Sequence, residues 1–336
     1  MNRCIYLIAF LMAVSSCATL PKNMADKDTK IVAVGPGPED MVLDTITEQP
    51  RLLISCHARR TGDPYYSEIN VYYPGDGSVK ILKRVGEPSD LYFGPHGIDL
   101  VKVKDTLIML VVNHNMPKHE NSILRYQVKK DELVFLSKIT DPLIVSPNAV
   151  TGFADGTILI SNDAGKQGDF TEALFLLKRD KIIYWDHNKC SVAAQKFCFA
   201  NGITNSGGKV YLASTRQNKL WQFDFADGKM INKRTIATVP GADNVRMCNG
   251  NLYVACHLRF LDFLKHMKTA SHLSPTTVYI INPVTGLTAV VFYDDGAKIS
   301  AGSTGLLYQD KIYVSGVFDG KLAIANTPYI IHWGRF

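Results

Sequence analysis

Six stretches of this 336-residue chain repeat one pattern. "PEDMVLDTITEQPRLLISCH" begins at Pro38, "PHGIDLVKVKDTLIMLVVNH" at Pro95 and "PNAVTGFADGTILISND" at Pro147. "ANGITNSGGKVYLAST" begins at Ala200, "ADNVRMCNGNLYVACH" at Ala242 and "GSTGLLYQDKIYVSGV" at Gly302. Each opens with proline or a small residue, then a polar side chain and a short alternating run. A turn such as "KDT", "ADG", "SGG" or "NG" leads into a second, more apolar run. Period-two alternation around such turns specifies β-hairpins. The starts lie 57, 52, 53, 42 and 60 residues apart. A mostly-strand unit recurring at this interval predicts an all-β, six-bladed β-propeller over residues 29–336. The last unit has room for only about three of a blade's four strands. "TKIVAVG" (29–35) can supply the fourth and close the ring from the N-terminal side. A β-sandwich would leave the recurring polar position unexplained. Two helix candidates interrupt the pattern, "DFTEALFLL" (169–177) and "RFLDFLKHMKTASH" (259–272).

In a propeller the innermost strands line a central channel, so equivalent positions at their starts meet. These positions hold Glu39, His96, Asn148, Asn201, Asp243 with Asn244, and Ser303. So many polar groups converging in a buried channel carry a large desolvation cost unless something pairs them. A bound cation resolves it; a water-filled channel held by an amide network is the alternative. Oxygen-bearing side chains favour calcium, which takes six to eight oxygens, over zinc, which wants nitrogen or thiolate. His114 and His257 end the second strands of their units. His96 and His114 belong to one unit and can be neighbours, and a histidine pair beside a metal suits general base catalysis. His57, His119, His187, His266 and His272 lack this placement and are expected on the surface.

The N-terminus reads separately. Arg3 precedes an apolar run from Cys4 to Val14, too short to span a bilayer and suited to a signal-peptide core. "VSSC" (14–17) reads as a lipobox, with Cys17 as the lipidated residue. Residues 1–16 are thus expected to be a lipoprotein-type signal and 17–28 a tether. This predicts export to the cell envelope and contact with a membrane through a lipid anchor; an ordinary cleaved signal and an uncleaved anchor helix are the alternatives. Of the seven cysteines, five lie beyond this segment, none in CxxC spacing, and an odd number leaves at least one free thiol. The net charge of +6 is scattered, with no basic run, which argues against nucleic acid as a partner.

"PEDMVLD", "PHGI", "VVNH", "FANGI", "DN" followed by "VACH", and "GSTG" occur in an order and spacing that resembles the paraoxonase/arylesterase family of six-bladed propeller lactonases. The resemblance runs from about Gly37 to Phe318. It implies a calcium-dependent hydrolase of lactones and aryl esters. It places the catalytic calcium on Glu39, Asn148, Asn201, Asp243 and Asn244, the histidine dyad on His96 and His114, and the substrate pocket at Phe199, His257 and Thr304. It also implies a second, structural calcium on Asp40 and the carbonyl of Ile98. The chain departs from the pattern at Ala149, where that second site has an aspartate, and loss of a carboxylate weakens a calcium site. It departs again at Ala164, where the family has histidine, and it lacks the ring-closing disulfide. No G-x-S-x-G elbow is present, which argues against a serine hydrolase of the α/β type. A gluconolactonase-type sugar-lactone hydrolase and a non-catalytic, lipid-anchored binding protein are the competing functions.

Overall fold

The computed structural model describes residues 23–25, 28–328, 331, 333 and 334. The expected signal segment and Cys17 lie outside the described residues. Of the expected tether, Met24 and Ala25 dock on the body, both backbone N–H groups donating to the carbonyl of Tyr293 at 2.8 and 3.0 Å.

Six antiparallel sheets stand around one axis, each built outward from its innermost strand. The innermost strands are Pro38–Asp44, Pro95–Val103, Pro147–Gly152, Ala200–Ser206, Ala242–Cys248 and Gly302–Tyr308, in blades one to six. Each touches the next, and the sixth returns to the first, completing the ring. Lys30–Ala33 pairs antiparallel with Lys321–Asn326, Lys30 opposite Ile324, as the outer strand of blade six. An N-terminal strand thus closes the ring, as expected. Blade two carries a fifth strand, Lys83–Val85, running parallel to Glu132–Ile139.

Apolar faces pack between blades. Val101, Ile108 and Leu110 of blade two, for example, meet Val150, Ile158 and Ile160 of blade three. The five described cysteines are free thiols. Both helix candidates form, as α1 (Phe170–Leu174) and α2 (Phe260–Lys268).

The repeated polar position has a backbone cause. All six innermost strands slip register at their first residues, between Pro38/Asp40, Pro95/Ile98, Pro147/Ala149, Ala200/Ile203, Ala242/Val245 and Gly302/Thr304. A β-bulge frees a residue from the ladder and re-aims its side chain. Glu39, His96, Asn148, Asn201, Asp243 with Asn244, and Ser303 are the residues inside these six bulges. Gly97 and Gly202 allow the strands to approach there. A Cβ on Gly97 would lie 2.3 Å from the Asn148 carbonyl oxygen, and one on Gly202 would lie 2.6 Å from Asn244 Cα.

Candidate active site

The bulges put on the floor of the channel three oxygens that have no hydrogen-bond partner among the described residues. Asn148 Nδ2 donates to Asp163 Oδ2 at 3.1 Å, and Asn201 Nδ2 donates to Thr215 Oγ1 at 3.1 Å. Both amides thereby commit their N–H side and leave buried carbonyl oxygens unbonded. Glu39 Oε2 is unbonded as well, while its Oε1 accepts from Asn244 Nδ2 at 2.9 Å and Ser303 Oγ at 3.0 Å. Asp243 Oδ2 meets His257 Nε2 at 2.7 Å. Burial first, and then the charges of Asp40 and Asp243, push the Glu39 carboxyl up to about 8 against the pull of Arg59. Buried acceptors left open together are costly unless a cation completes them. Two carboxylates and three amides, all oxygen donors, fit a hard cation such as calcium.

His96 and His114 do come together, ring centroids 5.0 Å apart at 81°. Asn121 donates Nδ2 to the Val145 carbonyl, so its Oδ1, 2.7 Å from His114 Nδ1, accepts. His114 therefore carries its proton on Nδ1 and offers a lone pair at Nε2. Arg59 Nη1 lies 2.8 Å from His96 Nδ1. A guanidinium can only donate, so neutral His96 carries its proton on Nε2, 3.7 Å from Glu39 Oε1. Burial pushes both imidazoles below their usual value, Arg59 pushes further, and His114 reaches about 4.

Above this floor lies a cavity of about 610 Å³. Its walls include Tyr65, Tyr92, Met116, Phe199, His257 and Phe318, and α2 roofs it with Phe260, Phe263 and Met267. Phe263 packs on His257 at 4.3 Å between centroids. Arg60 ties the loop after the second strand of blade one to blade six and to the roof helix itself, bonding Asp319 Oδ1 at 2.8 Å and His266 Nε2 at 2.8 Å.

Four expectations need correction. Thr304 does not line the cavity; it lies beneath the floor, its hydroxyl donating to the Glu39 carbonyl at 3.1 Å and Asp40 Oδ1 at 2.9 Å. His57 is not on the surface but in the cavity wall, where burial, Arg59 and His114 push it down to about 4. His266 is fully buried on the inner face of α2, bonded to Arg60 and, through Nδ1, to the His272 carbonyl at 2.6 Å. The residues expected to hold a second calcium do not fit one, because Arg246 bonds both Asp40 Oδ2 and the Ile98 carbonyl. Arg59, Arg60, Asn121, Asp163 and Arg246 were not singled out from the sequence. Arg59 and Arg60 sit in an irregular loop, and Arg246 reads as one more alternating residue of a strand.

The family model described as Arylesterase matches residues 38–324. The chain belongs to the arylesterase family. Among curated relatives, mouse serum paraoxonase/arylesterase 1 is 25% identical over 259 residues, covering 73% of this chain and 72% of the relative. Human serum paraoxonase/lactonase 3 is 25% identical over 248 residues, 68% of each chain. Two solved propellers resemble this arylesterase-family fold at low identity. A gluconolactonase from Xanthomonas campestris aligns with TM-score 0.55 and 14% identity, over 93% of this chain and 96% of that one. A calcium-binding regucalcin from Agrobacterium tumefaciens aligns with TM-score 0.52 and 12% identity, over 94% and 96%. Membership places this arylesterase-family chain among hydrolases of esters and lactones.

Proposed function

We propose that this chain is a calcium-dependent hydrolase of lactones and aryl esters with apolar substituents, using water as nucleophile and His96 with His114 as the catalytic pair. The observation that carries this reading is the set of orphaned oxygens, Glu39 Oε2, Asn148 Oδ1 and Asn201 Oδ1, beneath an aromatic-walled cavity. Glu39, Asn148, Asn201, Asp243 and Asn244 would hold the ion. When bound, calcium supplies a positive charge that polarises the ester carbonyl and stabilises the charge developing on its oxygen. The chain's own residues do the rest. Phe199, Phe260, Phe263 and Phe318 take up the apolar substituent, and α2 shields the reacting carbonyl from bulk water. His114 accepts the water proton at Nε2, its Nδ1–H being committed to Asn121. His96 presents Nε2–H beside it while Arg59 occupies its Nδ1. The water oxygen bonds to the carbonyl carbon, the ester C–O bond breaks, and the histidine pair returns the proton to the departing alkoxide or phenolate.

The test is hydrolysis of alkyl-substituted γ- and δ-lactones, glucono-δ-lactone and phenyl acetate, with calcium and after chelation. The expected result is turnover of alkyl lactones and phenyl acetate that vanishes on chelation and returns with calcium. Full turnover by protein shown to be free of calcium would remove the ion from the reaction. A preference for glucono-δ-lactone would reverse the substrate class, and no turnover by calcium-loaded protein would favour the binding-protein reading. Anchoring through Cys17 is a separate proposal, tested by palmitate labelling that a Cys17→Ser chain should lose.

A further inference from the structure

Beneath the floor, the channel is crossed by a side chain. Arg246 projects from the innermost strand of blade five, two residues past Asn244. Its Nη2 donates to Asp40 Oδ2 and to the Ile98 carbonyl, the latter at 2.7 Å. Its Nε donates to the Met41 carbonyl at 3.1 Å, and its Nη1 stands 3.9 Å from Asp99 Oδ1. One guanidinium therefore joins blades five, one and two across the axis. Asp40 has little capacity left: Oδ2 also accepts from Ile98 N at 2.8 Å, and Oδ1 accepts from Met41 N at 2.8 Å and Thr304 Oγ1 at 2.9 Å. Asp99 is held from its other side by Thr151 Oγ1 and Gly152 N, each at 3.0 Å. Blade three carries the uncharged Ala149 directly after Asn148 on its innermost strand.

We infer that Arg246 is a covalently attached cation that occupies the lower metal position of this propeller, so that the chain holds at most one tightly bound calcium and assembles this end of the channel without metal. A planar five-donor group satisfies a carboxylate and two backbone carbonyls at once. A divalent ion seated there would have to displace the guanidinium, unpair it inside the protein, and then share Asp40 with it. Like charges at such range in a buried site exclude each other. Arg246 holds this position in the lower channel whether or not the proposed reaction takes place above it.

The test counts ions in the full-length protein. After chelation, reloading with calcium and desalting, the metal is quantified by mass spectrometry and binding is titrated calorimetrically. The expected count is one calcium per chain, lost in Asp243→Asn, which disables the upper ring only. Removing the guanidinium and restoring a carboxylate in blade three, as Arg246→Ala with Ala149→Asp, should raise the count by one and add a calcium-dependent rise in melting temperature. Two tightly held ions in the wild type would overturn the inference, and so would a single ion that persists in Asp243→Asn. A double variant that folds yet gains no ion would show that the guanidinium is not what excludes it. A count of zero in the wild type upholds the role of Arg246 and sinks the calcium of the proposed reaction, so the two readings fail separately. The wild-type count needs no variant to fold.

Discussion

The guanidinium of Arg59 donates to Nδ1 of His96 at 2.8 Å, placing a fixed positive charge beside the imidazole pair at the floor of the cavity. That charge, added to burial, holds His114 down to about 4. A histidine with a lowered pKa keeps its proton-accepting neutral form to lower pH, and loses it only as pH falls through that value. kcat/KM for phenyl acetate should therefore be flat between about pH 6 and 8, with its acid limb below about pH 5 rather than near the usual 6.5. Arg59→Gln removes the charge and should move that limb upward. A limb unmoved by Arg59→Gln in a pH–rate profile would separate Arg59 from the reaction.

Calcium should stabilise the fold through the floor oxygens. An ion bound only by the folded state adds about 2.7 kcal/mol when its free concentration is a hundred times its Kd. Thermal unfolding against calcium concentration should show a rising Tm in the wild type and a nearly flat response in Asn201→Ala and Asn148→Ala. Equal responses in all three would assign the ion to other residues.

Phe263 roofs the cavity and packs on His257. Phe263→Ala removes contact with the substrate's apolar part without touching the reacting atoms. KM for phenyl acetate should rise roughly tenfold, equivalent to about 1.4 kcal/mol of binding, with kcat within about twofold. Steady-state kinetics would show the opposite split if the ring acted on the chemical step.

Gly97 of blade two sits close against the backbone of blade three. Gly97→Ala would put a methyl 2.3 Å from the Asn148 carbonyl oxygen and 2.7 Å from Ala149 Cα, both backbone atoms with little room to yield. The expected loss is about 1–3 kcal/mol, as for other overpacked sites, and the calcium midpoint should weaken because Asn148 shifts too. Gly75→Ala, with nothing within 4 Å, is the control and should change neither. Urea unfolding of the two variants decides.

Asp44 and Arg51 form a buried pair at 2.9 Å at the turn of blade one, and Arg51 also donates to the carbonyls of Lys129 and Lys130. Burial pushes the Asp44 carboxyl up, but hydrogen bonds from Thr47, Ile46 and Arg51 outweigh it and hold it below the usual carboxylate range. A lowered carboxylate contributes stability above its unfolded pKa of about 3.9, and loses it as pH falls through the folded value. Arg51→Met strands the carboxylate and should cost about 3–5 kcal/mol at pH 7. The cost should shrink near pH 3, where Asp44 is protonated in the unfolded chain. Urea unfolding at the two pH values checks both the size and the sign.

The ring was legible because each blade repeats its own hairpin chemistry, and the floor was legible because one polar residue recurs at one place in every repeat. That place is a bulge, which alternation alone does not reveal, but a repeat exposes whatever is held constant. Residues that act once carry no such signal. Arg59 stands in a loop with no period. Arg246 occupies a strand position where a long polar side chain ordinarily faces solvent, and only the closed ring turns that face into a channel. His57 and His266 follow the same rule: His57 lies near His114, and Arg60, Phe318 and Asp319 close over His266, contacts between segments far apart in the chain. Thr304 was placed one layer too high, because the bulge turns Ser303, not its neighbour, toward the floor.

The pairing of Lys30–Ala33 with Lys321–Asn326 also sets a timetable. The partner of the first strand, Lys321–Asn326, is synthesised after every strand of the other five blades. All six blades contribute to the floor, and the outer strand pair of blade six is incomplete until that strand arrives. A chain that stops short of Lys321 therefore leaves Lys30–Ala33 without its partner, and the ring latches only once the sixth blade has been made.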